Sequence, residues 1–278
     1  MKPLTTVEWL AAHLDEVTVV EVAFQRPDKA LYFTEGHIPG ARYAWWKDLC
    51  WHDTDRQFPS PEVMASRLMD LGVSDDSVLV LVGDTIQFAT YAFWVLTLTG
   101  LDHVATVLDG GRVAWDAAGH PITDAIPSSP TRGALSPRPP DERSRLGRDD
   151  VLAHLEDPDR VLVDMRSGEE FRGERVSPLT APFDHGAERG GHIPGARHLY
   201  YEDLLDTSGC FLEADGINAQ FASVGAIPGT DIVTYCRLSH RATLGWFAAT
   251  HVAHRSDVRV YDGSWTEWGS IVGFPIER

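Results

Sequence analysis

The chain has 278 residues, of which 43% are hydrophobic, so it is long enough for one large domain or two domains of ordinary size. Its formal net charge of −17 argues against nucleic acid or an anionic membrane surface as a partner. The three cysteines, Cys50, Cys210 and Cys236, form neither a disulfide framework nor a Cys-x-x-Cys metal pair.

The N-terminal segment, residues 1–9, lacks the basic region and the following apolar stretch of a secretory signal. No apolar run anywhere in the sequence approaches the ~20 residues needed to span a bilayer. We therefore expect a cytoplasmic protein without a membrane partner.

The first half of the chain alternates predicted strands with predicted helices. The run from Val78 to Val82 is entirely apolar, which is typical of a central parallel strand covered on both faces. Ser60 is a predicted N-cap, because Pro61 follows it at the first helical position. The series comprises an amphipathic stretch at 6–14, helices at 61–71 and 88–101, and strands at 17–22, 78–82 and 104–108. This alternation predicts parallel β–α–β units.

Residues 124–148 form a predicted linker, because they combine five prolines with few large apolar side chains. The segment is either a basic docking segment or a belt that lies across acidic domain surfaces, and we favour the belt. Exposed ion pairs of such a belt contribute little each. The segment carries five arginines, Arg132, Arg138, Arg143, Arg145 and Arg148.

The second half has a predicted strand at 161–166 that ends in an acid and a base, Asp164 and Arg166. Open α/β sheets bind ligands at the carboxyl ends of their strands, so these two residues are candidates for a site. An internal ion pair that holds loops explains them at least as well. A long polar insertion follows at 174–190. It contains three polar residues without an assigned role, Arg175, His185 and Arg189.

The two halves of the chain repeat each other. The run Gly-His-Ile-Pro-Gly-Ala-Arg occurs at 36–42 and again at 191–197, 155 residues later. The run Asp-Gly-Gly at 109–111 returns 153 residues later as Asp-Gly-Ser at 262–264. A near-constant offset of this size indicates two copies of one domain. We therefore expect an N-terminal domain at 1–123, the linker at 124–148 and a C-terminal domain at 149–278.

Cys236 lies between a predicted buried strand, Asp231 to Tyr235, and a predicted helix, Ala242 to His251. A helix N-terminus presents unpaired N–H groups and a partial positive charge, which favour a thiolate and hold an anion beside it. Arg237 and Arg241 add two permanent cations within the same loop. The alternative is a buried structural cysteine, which the two flanking arginines disfavour.

The loop from Cys236 to Arg241 resembles the active-site loop of the rhodanese family, the thiosulfate and 3-mercaptopyruvate sulfurtransferases. The repeat, the two His-Ile-Pro-Gly-Ala runs and the closing segment 261–269 are also similar to features of two-domain rhodaneses. The resemblance implies an α/β fold of two tandem rhodanese-like domains, each a parallel-sheet core flanked by helices. It implies that Cys236 is catalytic and carries a persulfide. The implied substrate-binding residues are Arg237, Leu238, Ser239, His240 and Arg241.

Two positions depart from the family pattern. Ser239 stands where glycine is usual, and if the position needs a positive φ, serine there is strained by about 1 kcal/mol. Glu170 stands where many members have an arginine that helps to bind the donor, so it removes a carboxylate partner and adds repulsion. We therefore favour thiosulfate as the donor, with 3-mercaptopyruvate as the alternative. Three residues are possible supports behind the loop: Asp164, Arg166 and Glu170.

The resemblance also implies the partners, a small anionic sulfur donor and a thiol or cyanide acceptor. We expect no cofactor, since the sequence has neither a phosphate-binding loop nor a dinucleotide fingerprint. We expect no metal either, because His251 and His254 have no carboxylate or cysteine to complete a ligand set.

Superposing the repeats places Gly83 opposite Cys236 and Asp84 opposite Arg237. The first copy therefore lacks the nucleophile and carries an acid where the second has a cation, so we expect it to be structural. His37 and His192 occur in both copies although only one has the cysteine, which predicts a structural role for them.

Two other functions are alternatives to sulfur transfer. Rhodanese-like domains resemble dual-specificity phosphatases, but those have five residues between cysteine and arginine, whereas four separate Cys236 from Arg241. The shorter loop disfavours a phosphate ester. A non-catalytic binding module is disfavoured because Cys236 and both arginines are present.

Overall fold

The computed structural model describes residues 2–181 and 184–278, and it divides the chain into two compact units. The first unit comprises Met1–Glu142 with Thr207–Cys210, and the second comprises Arg143–Asp206 with Phe211–Arg278. The division after Glu142 falls inside the predicted linker. No helix within the described ranges is both long and apolar enough to cross a membrane.

The first unit is a five-stranded parallel sheet flanked by helices, with the strand order β1-β5-β4-β2-β3. Its strands are β1 (Leu4–Thr5), β2 (Thr18–Ala23), β3 (Arg42–Trp45), β4 (Leu79–Gly83) and β5 (Ala105–Leu108). Its helices are α1 (Val7–His13), α2 (Leu31–Thr34), α3 (Trp46–Cys50), α4 (Pro61–Asp70), α5 (Ile86–Leu98) and α6 (Gly111–Ala117).

The second unit has the same architecture, with the strand order β6-β10-β9-β7-β8 and parallel pairing. Its strands are β6 (Arg145–Leu146), β7 (Arg160–Asp164), β8 (Arg197–His198), β9 (Asp231–Tyr235) and β10 (Val258–Tyr261). Its helices are α7 (Arg148–Ala153), α8 (Gly168–Phe171), α9 (Ala214–Ser223), α10 (His240–Phe247) and α11 (Ser264–Trp268). The two tandem α/β domains predicted from the repeat are thus confirmed.

The sequence patterns explain why these elements form. All five residues of β4 are buried, as expected for an apolar strand with helices on both faces of its sheet. Helix α4 begins at Pro61 because the Ser60 hydroxyl accepts a hydrogen bond from the Val63 N–H at 3.4 Å. Helix α10 begins at His240, two residues earlier than predicted, and continues into a π-helical turn at Ala248–Val252.

Part of the predicted linker packs along the first unit. Arg132 Nε donates to Asp70 Oδ1 at 2.7 Å, and the Arg138 N–H donates to the Gly100 carbonyl at 2.9 Å. The belt interpretation therefore describes this stretch, while Arg145 and Leu146 form strand β6 of the second sheet.

The topology of the second sheet selects one place for a ligand. Strand β7 connects to β8 on one side, whereas β9 connects to β10 on the other, so the chain reverses its direction across the sheet between β7 and β9. Asp164 is paired with Tyr235 at the carboxyl ends of these two strands. Crevices at such a reversal are where open α/β sheets bind ligands, and Cys236 is the next residue after Tyr235.

Candidate active site

Cys236 is buried at the carboxyl end of β9, with only 1% of the residue exposed. Its N–H donates to Ser264 Oγ at 3.2 Å, and its carbonyl accepts from the Trp265 N–H at 2.8 Å. Ser264 Oγ in turn donates to the Tyr261 carbonyl at 3.0 Å. The first turn of α11 therefore fixes the backbone on both sides of the thiol.

The backbone that follows Cys236 forms a site for an anion. Within the described part of the chain, the N–H groups of Arg237, Leu238 and Ser239 donate no hydrogen bond. They precede the N-terminus of α10, where the helix carries a partial positive charge. Successive unpaired N–H groups in such a turn bind anions or stabilise developing negative charge.

Ser239 has the positive φ that its glycine-like position suggested, with φ at 73°. Its buried hydroxyl donates to the Asp262 carbonyl at 2.5 Å and lies 3.0 Å from Asp262 Oδ1. A glycine would relieve about 1 kcal/mol of strain but could not form this bond. The loop therefore keeps the expected backbone shape with a serine that ties it to the end of β10.

The two loop arginines have different partners. Arg241 is buried and binds Glu170 through two hydrogen bonds, Nη1 to Oε2 at 2.6 Å and Nη2 to Oε1 at 2.8 Å. Burial alone would lower the pKa of Arg241, but the hydrogen bonds to Glu170 and its charge outweigh burial and raise the pKa. Arg241 is thus a fixed cation whose charge a carboxylate balances.

Glu170 does not act as the sequence suggested. The expectation was a carboxylate that repels the donor, yet both of its oxygens are engaged by Arg241. It also accepts the Ser167 N–H at 3.2 Å, which completes a capping box at the start of α8. Glu170 is fully buried, so its role in the structure is to hold Arg241.

Arg237 keeps its charge unbalanced. Its Nη1 donates to the His185 carbonyl at 3.0 Å, and among the described residues it forms no ion pair. Burial and repulsion from Arg241 lower the pKa of Arg237 from its usual value. Arg237 is therefore the loop cation that remains available to an anion.

Asp164 and Arg166 form a fully buried ion pair beside the loop. Arg166 Nη2 donates to Asp164 Oδ2 at 2.6 Å and to the Gly191 carbonyl at 2.7 Å. The guanidinium also lies over the Trp265 ring, 4.7 Å from its centre. These contacts favour the internal ion pair over direct contact with a substrate.

The remaining loop residues line the turn. Leu238 is half-buried and His240 is buried, and the His240 carbonyl accepts from Thr243 Oγ at 2.9 Å.

The sequence did not single out two tyrosines whose pKa values respond to the charge of Arg241, Tyr200 and Tyr201. Burial raises the pKa of Tyr200 to about 12 and also raises that of Tyr201, while the charge of Arg241 opposes both shifts. In the aligned repeats, Tyr200 and Tyr201 occupy the positions of Trp45 and Trp46, and this correspondence is the sequence signal that could have identified them.

A family model for the rhodanese-like domain matches the chain twice, at residues 6–118 and 147–271. The chain belongs to the rhodanese-like family. The first matched stretch contains β2 to β5, and the second contains β7 to β10 together with Cys236 and its loop.

Curated relatives match this chain along nearly their whole length. The Thermus thermophilus protein named sulfur carrier protein TtuD is 37% identical over 281 residues, covering 99% of this chain and 96% of the relative. A Haloferax volcanii protein with the provisional name of thiosulfate sulfurtransferase is 35% identical, covering 99% of this chain and 96% of the relative.

Solved structures with the same fold include YnjE, with a TM-score of 0.83 and 24% identity over 99% of this chain and 69% of that one. Wild-type EanB has a TM-score of 0.82 and 23% identity, with the same shares covered. At these identities the likeness establishes the fold.

The first rhodanese-like domain has a glycine, Gly83, at the position that corresponds to Cys236. A Cβ placed on Gly83 would overlap the Thr85 carbonyl oxygen, so a cysteine there requires the backbone to move. Asp84 accepts hydrogen bonds from the N–H groups of Phe24 and Thr85, at 2.9 and 2.8 Å. This turn binds its own carboxylate.

The other two cysteines do not share the environment of Cys236. Cys50 is fully buried in α3, and burial raises its pKa well above the usual value, which keeps it a thiol. Cys210 is partly exposed and packs against the core of the first unit. No cluster of three or more potential metal-ligating side chains occurs in the ranges that the structure covers.

Proposed function

We propose that the protein is a sulfurtransferase that moves the sulfane sulfur of thiosulfate to a thiophilic acceptor through a Cys236 persulfide. One observation carries the proposal: a buried cysteine precedes a turn of unpaired N–H groups and an arginine without a carboxylate partner. The relatives named as a thiosulfate sulfurtransferase and a sulfur carrier support it.

The proposed reaction has two displacement steps. The Cys236 thiolate attacks the outer sulfur of thiosulfate, a new S–S bond forms, and sulfite leaves with the electrons of the old one. A thiol or cyanide then attacks the terminal sulfur of the persulfide. The S–S bond breaks, the Cys236 thiolate is regenerated, and the product that leaves is an acceptor persulfide or thiocyanate. Arg237 and the loop N–H groups stabilise the charge on sulfite in the first step. A covalent intermediate of this kind predicts ping-pong kinetics.

The proposed donor follows from the charge that the loop leaves available. Thiosulfate is a compact dianion that a single guanidinium and a turn of N–H groups can hold together. 3-Mercaptopyruvate carries its carboxylate away from the transferred sulfur and needs a second cation, where this chain has Glu170, already bound to Arg241. We therefore propose a higher kcat/KM for thiosulfate, with 3-mercaptopyruvate as the alternative donor.

A side-by-side assay of the two donors with cyanide as the acceptor tests this function. Wild type should form thiocyanate with parallel double-reciprocal plots and should prefer thiosulfate, and Cys236→Ser should form none. A preference for 3-mercaptopyruvate would overturn the donor, and activity in Cys236→Ser would overturn the mechanism.

A further inference from the structure

Residues 174–190, here named the insertion segment, connect α8 to the turn before β8 and contact the loop arginine that lacks a carboxylate. One end is fixed by Asp184, whose Oδ1 accepts three hydrogen bonds at 2.9 Å, from the Val176 N–H, the Ser177 N–H and the Ser177 hydroxyl. Ser177 is fully buried. These bonds fix Asp184 against Val176 and Ser177.

The other end of the insertion segment is fixed by Arg189. Its guanidinium donates four hydrogen bonds of 2.8–3.1 Å to carbonyls at and beyond the C-terminal end of α11, and its own carbonyl accepts from Trp265 Nε1 at 2.9 Å. The backbone N–H of Trp265 donates to the Cys236 carbonyl, so Trp265 links this end of the insertion segment to the backbone of Cys236. The four carbonyls belong to Trp268, Gly269, Ile271 and Phe274.

Between these two anchors lie the residues that contact Arg237. The His185 carbonyl accepts from Arg237 Nη1 at 3.0 Å. Gly186 has φ at +111°, and a Cβ there would lie 2.5 Å from the same nitrogen and 3.4 Å from Arg237 Cδ. Any side chain at position 186 would therefore displace the guanidinium.

The chemistry of the two arginine partners differs in a way that matters for an anion. A carboxylate holds Arg241 and cancels its charge, whereas a neutral carbonyl holds Arg237 and leaves its charge intact. Fixing a long, flexible side chain before binding reduces the entropy lost when the ligand arrives.

We propose that His185 and Gly186 are positioning residues that hold the Arg237 guanidinium ready for the anionic sulfur donor. This inference rests on the proposed function and gives the insertion segment a role in donor affinity. The His185 contribution comes from its backbone carbonyl, so it is tested through Gly186 and Asp184.

The test compares Gly186→Ala with Gly229→Ala. Gly229 lies in the same unit and also has a positive φ, +91°, but a Cβ there meets nothing within 4 Å, so it controls for backbone strain alone. The primary readout is sulfite binding to the resting enzyme, followed by tryptophan fluorescence, which needs no turnover. The second readout is the thiosulfate concentration that half-saturates persulfide formation in a single turnover.

Gly186→Ala should weaken sulfite binding and raise the half-saturating thiosulfate concentration by about tenfold each, the effect of one charged hydrogen bond. The loading rate at saturation should change less, because sulfite and thiosulfate present the same oxyanion to Arg237. Gly229→Ala should match wild type. In the Arg237→Ala background, Gly186→Ala should cause no further loss.

Equal sulfite affinity in Gly186→Ala and Gly229→Ala, or a full additional loss on top of Arg237→Ala, would overturn the inference. If Gly186→Ala does not fold, Asp184→Ala replaces it, because this substitution removes three hydrogen bonds that fix the insertion segment. Unchanged sulfite affinity in Asp184→Ala would also overturn the inference. Failure of wild type to accept sulfur from thiosulfate would overturn the proposed function instead, and the sulfite measurements would still decide the inference.

Discussion

The turns that follow β4 and β9 occupy the same position in two copies of one fold. The first turn holds a carboxylate of its own, whereas the second leaves its N–H groups available to an external anion. After β4, the Asp84 carboxylate accepts the N–H groups of Phe24 and Thr85, so the first turn contains its own anion. After β9, three N–H groups from Arg237 to Ser239 have no acceptor in the described structure, and a thiol precedes them. Under the proposed function, a few turn residues decide whether a copy of this scaffold is structural or catalytic.

What the two copies share is the setting of a repeated histidine, His37 in the first copy and His192 in the second. His37 stacks on Tyr32 and His192 on Phe171, with ring centres 3.9 and 3.8 Å apart. Each histidine also exchanges two backbone hydrogen bonds with a later strand-like residue, Thr123 or Glu277. The structural role of the repeated histidines stays a prediction, which these matching contacts support.

Moving the nucleophile between the copies should give the largest effect. Cys236→Ser should abolish sulfur transfer, and adding Gly83→Cys should not restore it, because the new Cβ overlaps the Thr85 carbonyl and the turn already holds Asp84. Thiocyanate formation measures activity, and thermal unfolding measures the cost of the new side chain. Gly147→Cys is the control, since a Cβ at that position meets open space. Restored sulfur transfer in the Cys236→Ser, Gly83→Cys double variant would contradict the claim that only the second turn can support the reaction.

Breaking the ion pair behind the loop should be the next largest effect. Glu170→Ala leaves the buried Arg241 guanidinium without its carboxylate, and we expect it to lower the free energy of unfolding by about 3–5 kcal/mol. Glu174→Ala, which removes an exposed partner of Arg172, should cause no measurable loss. Denaturant unfolding checks both, and equal stability of the two variants would show that Glu170 does not hold Arg241.

Removing the available cation should affect binding and not folding. Arg237→Ala should lower kcat/KM for thiosulfate by about 1.5–3 kcal/mol, the range for hydrogen bonds to a charged group. Its unfolding free energy should stay close to that of wild type, because it forms no ion pair among the described residues. Arg172→Ala is the matched surface control. Wild-type kcat/KM in Arg237→Ala would mean that the N–H groups alone hold the donor.

The smallest expected effect is a difference in stability between two substitutions at Ser239, the residue with a positive φ. Ser239→Ala keeps the strain and loses the bond to the Asp262 carbonyl, whereas Ser239→Gly loses the bond and also the strain. The alanine variant should therefore be less stable than the glycine variant by about 1 kcal/mol. Denaturant midpoints of the two proteins give the difference directly, and the opposite order would show that φ at this residue is not strained.

The sequence predicted those features that depend on neighbours along the chain or on the repeat. The strand–turn–helix around Cys236, the cap at Ser60 and the second copy of the sheet all follow from local patterns or from a fixed offset. The positive φ of Ser239 was also deducible, since the loop resembles one with glycine there.

The features that the sequence did not predict join residues far apart in the chain. Glu170 and Arg241 are 71 residues apart and meet because β7 and β9 are adjacent strands. Nothing in the local pattern around Glu170 indicates that partner, so its charge was assigned to repulsion. The contact between Gly186 and Arg237 likewise requires the path of the insertion segment, which has no counterpart in the repeat; its residues Pro182 and Phe183 lie outside the described ranges.

The central claim is that thiosulfate transfers its outer sulfur to Cys236 and to no other residue. Mass spectrometry of the intact protein after thiosulfate treatment and removal of small molecules, followed by peptide mapping, tests it most directly. The account predicts one added sulfur atom on the peptide that contains Cys236, its loss on addition of cyanide, and no addition in Cys236→Ser. An unmodified Cys236, or sulfur on Cys50 or Cys210 instead, would contradict the account.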